Sequence, residues 1–260
     1  MLFFIVSLLA STAGAICGIG GGVIIKPVLD LLRLETVAAI SFLSGCTVLS
    51  MSCYSVGRSI LAKERRVSLR TGTPLAVGAA VGGLLGKQLF TLIRESFENQ
   101  NTVGAVQAVC LALITLGTLI YTVNKNRIHT REIRNPAACA VIGLALGLMS
   151  SFLGIGGGPI NLVVLFYFFG MDTKTAAANS LYIILFSQLA SVLAGVVTHA
   201  VPPFSWTTLL LMVFGGIGGG VVGRALNRRM DEKMVDRLFV GLMAAIIAIS
   251  VYNVWQYAGR

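Results

Sequence analysis

Long stretches of apolar residues constrain the fold of this chain more than any other feature. Six of them can each cross about 30 Å of hydrocarbon, a distance that takes about 20 helical residues. They cover residues 36–57, 71–93, 103–123, 174–199, 204–225 and 238–257. The chain is also 56% hydrophobic and only 12% charged, whereas a soluble domain is about 25% charged. We therefore expect an all-α polytopic membrane protein.

Two further apolar segments, residues 1–33 and 136–170, are too long for one ordinary span, and each contains a glycine cluster near its middle. Each half would be about 15–17 residues, or about 22–26 Å of helix, which is short of a full crossing. Each segment is thus predicted to form a re-entrant or broken helical hairpin. A signal peptide is not expected in the first segment, since its first basic residue is Lys26.

The chain has 20 Lys and Arg against 10 Asp and Glu, and most of the basic residues fall in short connections. The basic connections are 58–70, 124–135 and 226–237, whereas 94–102 and 200–203 carry little charge. We expect the protein in the cell inner (plasma) membrane. The positive-inside rule then places the basic connections on its cytoplasmic side and both termini on its outer face. The positive charge is then explained by topology, and nucleic acid is not an expected partner.

Three segments of the first half recur in the second half in the same order. They are GIGGG at 18–22 and 154–158, TVAAIS and TAAANS at 36–41 and 175–180, and GGLLGK and GGVVGR at 82–87 and 219–224. We predict two repeats, 1–128 and 129–260, in one membrane domain of eight to ten helical segments. Each repeat has one hairpin and three spans, and an odd number of spans inverts one repeat relative to the other. Inverted repeats with broken helices are typical of secondary transporters, which bind substrate near the midplane.

The two glycine clusters inside the hairpins are the best candidates for a binding site. The second half-helix of each hairpin begins there, at about Gly22 and at Pro159. Helix N-termini expose unpaired N–H groups and a partial positive charge, which together bind small anions. Glycine also lets the backbone approach an anion without a side chain in between. We expect a small anion to bind between the two turns.

Glycines in membrane helices more often mediate close packing, and this alternative applies to part of the sequence. A third GIGGG lies within a full-length span, at 216–220. Glycines spaced by four residues, 78/82/86 and 215/219/223, predict close helix contacts in both halves. The clusters in the broken segments differ because they lie inside apolar stretches that are too long to be one helix.

The predicted substrate-binding residues are the turn glycines and nearby polar side chains: Gly18, Gly20, Gly21, Gly22, Lys26, Ser41, Gly154, Gly156, Gly157, Gly158, Asn161, Asn179 and Ser180. Lys26 follows Gly22 by one helical turn and would provide a positive charge for the anion. In the alternative, the first hairpin is shallow and Lys26 extends outward to the membrane surface. For each polar residue, hydrogen bonding between helices is a second possible role.

The acidic residues nearest the spans, Asp30, Glu35 and Asp172, fall at the ends of apolar segments. This placement argues against a proton relay through membrane-embedded carboxylates. The five cysteines lack metal-binding spacing, and His129 and His199 lie in or beside connections. We therefore expect no disulfide, no metal or other cofactor, and no enzymatic activity.

The duplicated GIGGG, the Pro159 and Asn161 that follow its second copy, and the TAAANS segment at 175–180 resemble the sulfite exporter TauE/SafE family of membrane transporters. The resemblance covers essentially the whole chain. It implies movement of small sulfur-containing anions such as sulfite, thiosulfate or organosulfonates. The first copy departs from the second, with Val23 and Ile25 in place of the proline and asparagine, so the two half-sites are expected to contribute unequally.

The resulting expectation is a secondary transporter that exports a sulfur-containing anion. An inside-negative potential contributes about 2.3 kcal/mol per charge per 100 mV, so anion efflux would need no proton. Two alternatives stay open: an anion channel on the same fold, and a membrane interaction subunit that does not transport. The expected partners are the anion and membrane lipids, and the glycine faces would allow a homodimer.

Overall fold

The computed structural model describes residues 1–32, 34–62, 68–96, 100–155 and 157–258. These residues form ten α-helices, one short 3₁₀-helix at Lys125–Arg127 and no strand. The helices are α1 (Leu2–Cys17), α2 (Gly22–Leu32), α3 (Val37–Leu61), α4 (Leu69–Ser96), α5 (Gln100–Asn124), α6 (Pro136–Leu153), α7 (Pro159–Phe169), α8 (Thr173–Val197), α9 (Trp206–Arg229) and α10 (Glu232–Ala258). Within this described part, seven helices are long and apolar enough to cross a membrane: α3 to α6 and α8 to α10. The all-helical polytopic class is confirmed.

Both over-long segments break at their glycine cluster, as predicted. Gly18 ends α1 and Gly154 ends α6, with φ of 76° and 65° in the left-handed region that glycine adopts without strain. The prediction of equal halves is wrong, however. The first helices have 16 and 18 residues, and the second ones have 11 each. Each glycine turn lies past the middle of its segment, so the first helix of each hairpin is the longer one. With 18 residues, α6 is long enough to be a candidate span, whereas α1 and α7 are shorter apolar helices.

The helices continue into connections that the charge pattern placed outside the spans, most completely at 226–237. Of the predicted connection 226–237, only Met230 and Asp231 lie outside α9 and α10. The Asp231 carboxylate accepts a hydrogen bond of 2.8 Å from the N–H of Met234 and so caps the start of α10. Loss of apolar character marks where a helix leaves the hydrocarbon, whereas the helix itself ends only where its backbone is capped.

The closest helix contacts join one half of the chain to the other: α4 packs along α6, and α9 packs along α1. A Cβ added at Gly82 would overlap the carbonyl oxygen of Leu144, and one added at Gly147 would overlap that of Ala79. A Cβ at Gly219 would lie only 2.6 Å from the Leu8 carbonyl oxygen. The predicted packing role of the 78/82/86 and 215/219/223 glycines is confirmed.

Most of the remaining helix contacts occur in corresponding pairs. α3 packs on α9 as α4 packs on α8, and α2 packs on α10 as α7 packs on α5. If α1–α5 are replaced by α6–α10 in the same order, and the reverse, each contact of a pair becomes the other contact. The contacts α3–α8 and α5–α10 are unchanged by this replacement. Two five-helix repeats related by a twofold axis would produce this pattern, and the predicted boundary at 128/129 falls between α5 and α6. The inverted orientation of the repeats stays a prediction.

Candidate functional site

The first glycine turn, residues 18–22, packs directly against the second glycine turn, residues 154–158. A Cβ added at Gly22 would overlap the carbonyl oxygen of Ile155, and one added at Gly157 would lie 3.3 Å from the carbonyl oxygen of Ile19. Gly20 and Gly21 are buried within the first turn, as Gly158 is within the second. Gly156, also predicted as a site residue, lies outside the described residues. The turns thus meet backbone to backbone, without room for side chains.

Helices α3 and α8 flank this contact. On α3, Ser41 lies against Gly154 and Ser44 lies against Gly22. On α8, Ala177 lies against Gly18 and Ile184 lies against Gly157. The α3 residues are three positions apart and the α8 residues seven, so each pair lies on one face of its helix. Ser180 lies between the two α8 residues on that same face, and the turn contact is therefore enclosed between α3 and α8.

Each short helix begins at a glycine turn, as predicted. In α2, the N–H groups of Ile24 and Ile25 donate to the Gly21 carbonyl at 3.0 and 2.9 Å. The first N–H groups of a helix, here those of Gly22 and Val23, have no acceptor within the helix. Pro159 starts α7, where its missing N–H costs nothing. The positive ends of two helix dipoles therefore lie at the place where the turns meet.

Several buried polar atoms around the turns lack a hydrogen-bond partner within the described part of the chain. They are the hydroxyl oxygens of Ser11, Ser44 and Ser180 and the Oδ1 atom of Asn161. Ser11 lies beside Gly21, since its Oγ would be 2.8 Å from a Cβ added there. A buried polar atom without a partner costs about 1–3 kcal/mol. Such a concentration is typical of a place where a polar ligand or water completes the hydrogen bonding.

Lys26 is buried, with 3% of its surface exposed, so the alternative in which it extends outward is wrong. Its Nζ lies 3.3 Å from Asp30 Oδ2 and 3.3 Å from Ser41 Oγ. The lysine therefore reaches the residue that contacts Gly154, and part of its charge is offset by Asp30. Asp30 is only 6% exposed, which corrects the expectation that no carboxylate is buried. It is covered because α2 packs against α10.

Two hydrogen bonds of Asn179 lie away from the glycine turns. Its Oδ1 accepts a hydrogen bond of 3.1 Å from the N–H of Ser68, just before α4 begins. Its Nδ2 donates to the Thr175 carbonyl at 2.8 Å. The second bond lies within α8, whereas the bond from Ser68 joins α8 to the start of α4, which is the interhelical role that was the alternative for Asn179.

Two cavities approach the turns. One, of about 20 Å³, is lined by Lys87, Ser41, Ser151, Gly154 and Gln188. The other, of about 50 Å³, is lined by Arg224, Ser55, Ser59, Lys174 and Ala177. The first cavity contacts α8 at 188–192 and the second at 174–181. Since the turns contact α8 at Ala177 and Ile184, the cavities extend from them toward opposite ends of the helix.

Each cavity contains a cation that was not among the predicted site residues. Arg224 Nη1 donates to Ser59 Oγ at 2.6 Å and to the Ser55 carbonyl at 3.0 Å. Lys87 Nζ lies 5.4 Å from the centre of the Phe90 ring. Both residues end a copy of the repeated segment GGLLGK/GGVVGR, whose glycines were assigned to packing above but whose basic residue was given no role. A basic residue at the same position of both copies was the available signal.

Comparison with known proteins matches nearly the whole chain. The family profile described as Sulfite exporter TauE/SafE matches residues 3–250, which include both glycine turns. The probable membrane transporter protein YunE of Bacillus subtilis (strain 168) is 26% identical over 244 residues, which cover 83% of this chain and 85% of that protein. No solved structure matches the chain. In the described ranges, no group of three or more His, Cys, Asp or Glu residues could hold a metal ion.

Proposed function

Because the chain belongs to the sulfite exporter TauE/SafE family, we propose that it exports a small sulfur-containing anion such as sulfite, thiosulfate or an organosulfonate. The family consists of membrane transporters, so the chain is a multi-pass membrane transporter and not an enzyme. The resemblance seen in the sequence is thereby confirmed. The substrate class, the direction and the binding site are the proposed parts.

The anion binds where the two glycine turns meet. The observation that carries this assignment is that two helix starts converge on a region with unpartnered hydroxyls, among them Ser44 and Ser180. A sulfur oxyanion presents only acceptor oxygens, and these match the N–H and O–H donors and the positive helix ends. The turns are in van der Waals contact, so they must separate for an anion to enter between them.

The two cavities are the entrances to this site. Arg228 and Arg229 follow Arg224 at the end of α9, and basic helix ends lie on the cytoplasmic side by the positive-inside rule. The Arg224 cavity is then the cytoplasmic entrance, and the Lys87 cavity is the outer one. Each cation raises the local concentration of anions in a narrow, weakly polar space.

Access alternates as the hairpins move relative to α3 and α8. α1 packs along α9 and α6 packs along α4, so each hairpin is joined to a span of the other half. We take residues 1–128 and 129–260 as inverted repeats, so both termini lie on the same side, and cytoplasmic basic connections make this the outer side. In transporters with such repeats, one unit rocks against the other around a fixed site.

Reconstitution of the purified protein into liposomes tests the proposed function. We expect saturable efflux of one or more of sulfite, thiosulfate and short sulfonates, together with measurable binding of the same anions to the detergent-solubilised protein. Sulfate is measured in the same efflux and binding assays for comparison with these anions. Unitary currents under voltage clamp would indicate a channel instead, and absence of both flux and binding would contradict a transport role for these anions.

A further inference from the structure

A buried polar cavity lies beside Asp30, away from both entrances. It has a volume of about 10 Å³, which is room for about one water molecule, and lies where α2, α5 and α10 meet. Its polar lining consists of Lys26, Asp30, Gln107, Ser250 and Asn253. Each of these side chains is 6% exposed or less. Five polar side chains so fully buried inside an apolar protein require an explanation.

The cavity has more hydrogen-bond acceptors than donors. In the described residues, no partner exists for Asp30 Oδ1, Gln107 Oε1, Ser250 Oγ or Asn253 Oδ1. The orientations of both amides are fixed by their nitrogens. Gln107 Nε2 donates to the Phe152 carbonyl at 2.6 Å, and Asn253 Nδ2 donates to the Pro27 carbonyl at 3.0 Å. The unpartnered atoms of these amides are therefore oxygens.

We propose that Asp30 binds a proton in this cavity, and that protonation converts Lys26 from an internal ion-pair partner into a ligand of the transported anion. The proposal rests on the anion site described above. A proton from solvent bonds to Asp30 Oδ1, and the new O–H donates to one of the unpartnered oxygens. Lys26 keeps its own proton throughout, and no other bond forms or breaks.

The coupling to the anion site follows from the two contacts of Lys26. Its Nζ reaches Ser41 as well as Asp30, and Ser41 contacts Gly154 of the second glycine turn. A buried ammonium without a counter-charge is strongly unfavourable. Once Asp30 is neutral, an anion at the turns supplies that counter-charge. Proton and anion binding therefore favour each other, and the linkage is reciprocal.

A metal ion fits this cavity less well than a proton. Of the residues that line it, only Lys26 and Asp30 are charged, and those from α5 and α10 are neutral. A metal ion at Asp30 Oδ1 would share the carboxylate with the Lys26 ammonium, which is 3.3 Å from Asp30 Oδ2. Like charges at such separation in a weakly polar interior repel strongly. A proton adds its charge without adding bulk.

Infrared spectroscopy of the purified protein tests the proton site without any anion. We expect a carboxylic-acid C=O band that titrates with pH, is absent from Asp30→Asn and is retained in Glu35→Gln. Glu35 is a suitable control because it is the next acidic residue along the chain and is half-buried. A wild-type spectrum that matches Asp30→Asn at every pH would overturn the proposal. So would loss of the band when sodium replaces choline at constant ionic strength.

Calorimetry with thiosulfate or ethanesulfonate, in buffers of different ionisation enthalpy, tests the coupling. The wild type should take up about one proton per anion, and its affinity should fall about tenfold per pH unit once Asp30 is ionised. Asp30→Asn should bind without proton uptake, and Glu35→Gln should behave like the wild type. Anion binding without proton uptake in the wild type would overturn this inference and leave the proposed function intact. A titrating Asp30 band in a protein that binds neither anion would support the proton site but contradict the proposed function.

Discussion

The backbone contact between the two glycine turns makes Gly22→Ala an informative substitution. A Cβ at this position would overlap the carbonyl oxygen of Ile155 and lie 2.8 Å from Ser44 Oγ, whereas ordinary Cβ contacts are 3.4 Å or longer. The Ser44 side chain can rotate, but the carbonyl belongs to the backbone of the other turn. In a close-packed interior, the two turns must therefore move apart by about 1 Å or more.

This displacement sets the size of the expected effect. A shift of about 1 Å in a binding arrangement can reduce a rate about a hundredfold, and overpacking costs about 1–3 kcal/mol of stability. We expect Gly22→Ala to lower the initial rate of labelled anion efflux from proteoliposomes about a hundredfold, when the rate is normalised to the amount of reconstituted protein. The protein should still fold, because the α1–α9 and α4–α6 contacts are unchanged.

Gly117→Ala on α5 is the matched control. No atom lies within 4 Å of a Cβ built at Gly117, so this variant should transport normally. It should also gain about 0.4–1 kcal/mol of stability, because alanine restricts the unfolded chain. If Gly22→Ala transports as fast as Gly117→Ala, contact between the turns has no part in transport. An equal loss in both variants would point to a general effect of alanine.

Three further predictions follow from the packing, the cavities and one helix cap. Gly147→Ala should lower the free energy of unfolding in micelles by about 1–3 kcal/mol, since its Cβ would overlap the Ala79 carbonyl oxygen; unchanged denaturant midpoints would contradict this. Lys87→Met should raise the half-saturating anion concentration only from the outer side, and Arg224→Met only from the cytoplasmic side; equal shifts in both flux directions would contradict the assignment of entrances. Burial by itself would raise the pKa of Asp172, but hydrogen bonds from the N–H groups of Thr175 and Lys174 outweigh it and lower this pKa. The resulting stability is present above the unfolded value of about 3.9 and is lost as pH falls through the lower folded value, so Asp172→Asn should flatten the acid limb of thermal unfolding.

The helix breaks could be predicted because their causes are local. Gly18 and Gly154 end helices in the left-handed conformation, and an apolar stretch of fixed length limits how far each helix can span the membrane. The partners of those helices could not be predicted in the same way. The glycine spacing on α4 indicated a close contact, but that Gly82 faces Leu144 depends on the whole assembly.

Asp30 shows why the candidate site was only partly predictable. Its neighbours in the sequence place it at the end of an apolar segment, where a carboxylate would ordinarily meet water. Its burial depends on Gln107 and Asn253, which lie far along the chain on α5 and α10. Conversely, the Lys87 and Arg224 positions carried a visible signal in the repeat alignment.

The two hairpins are alike in backbone and unlike in charge. At the offset of 136, Leu162 is the counterpart of Lys26 and Phe166 that of Asp30, whereas Asn161 is the counterpart of Ile25. The other five of these six side chains are buried at least as fully as Asp30. If the repeats were identical, the outward-open and inward-open states would have equal energies by symmetry. An ion pair confined to the first hairpin removes that equality, so protonation of Asp30 would change the relative populations of the two states, while the direction of net transport would still be set by the gradients of the anion and of any proton that moves with it.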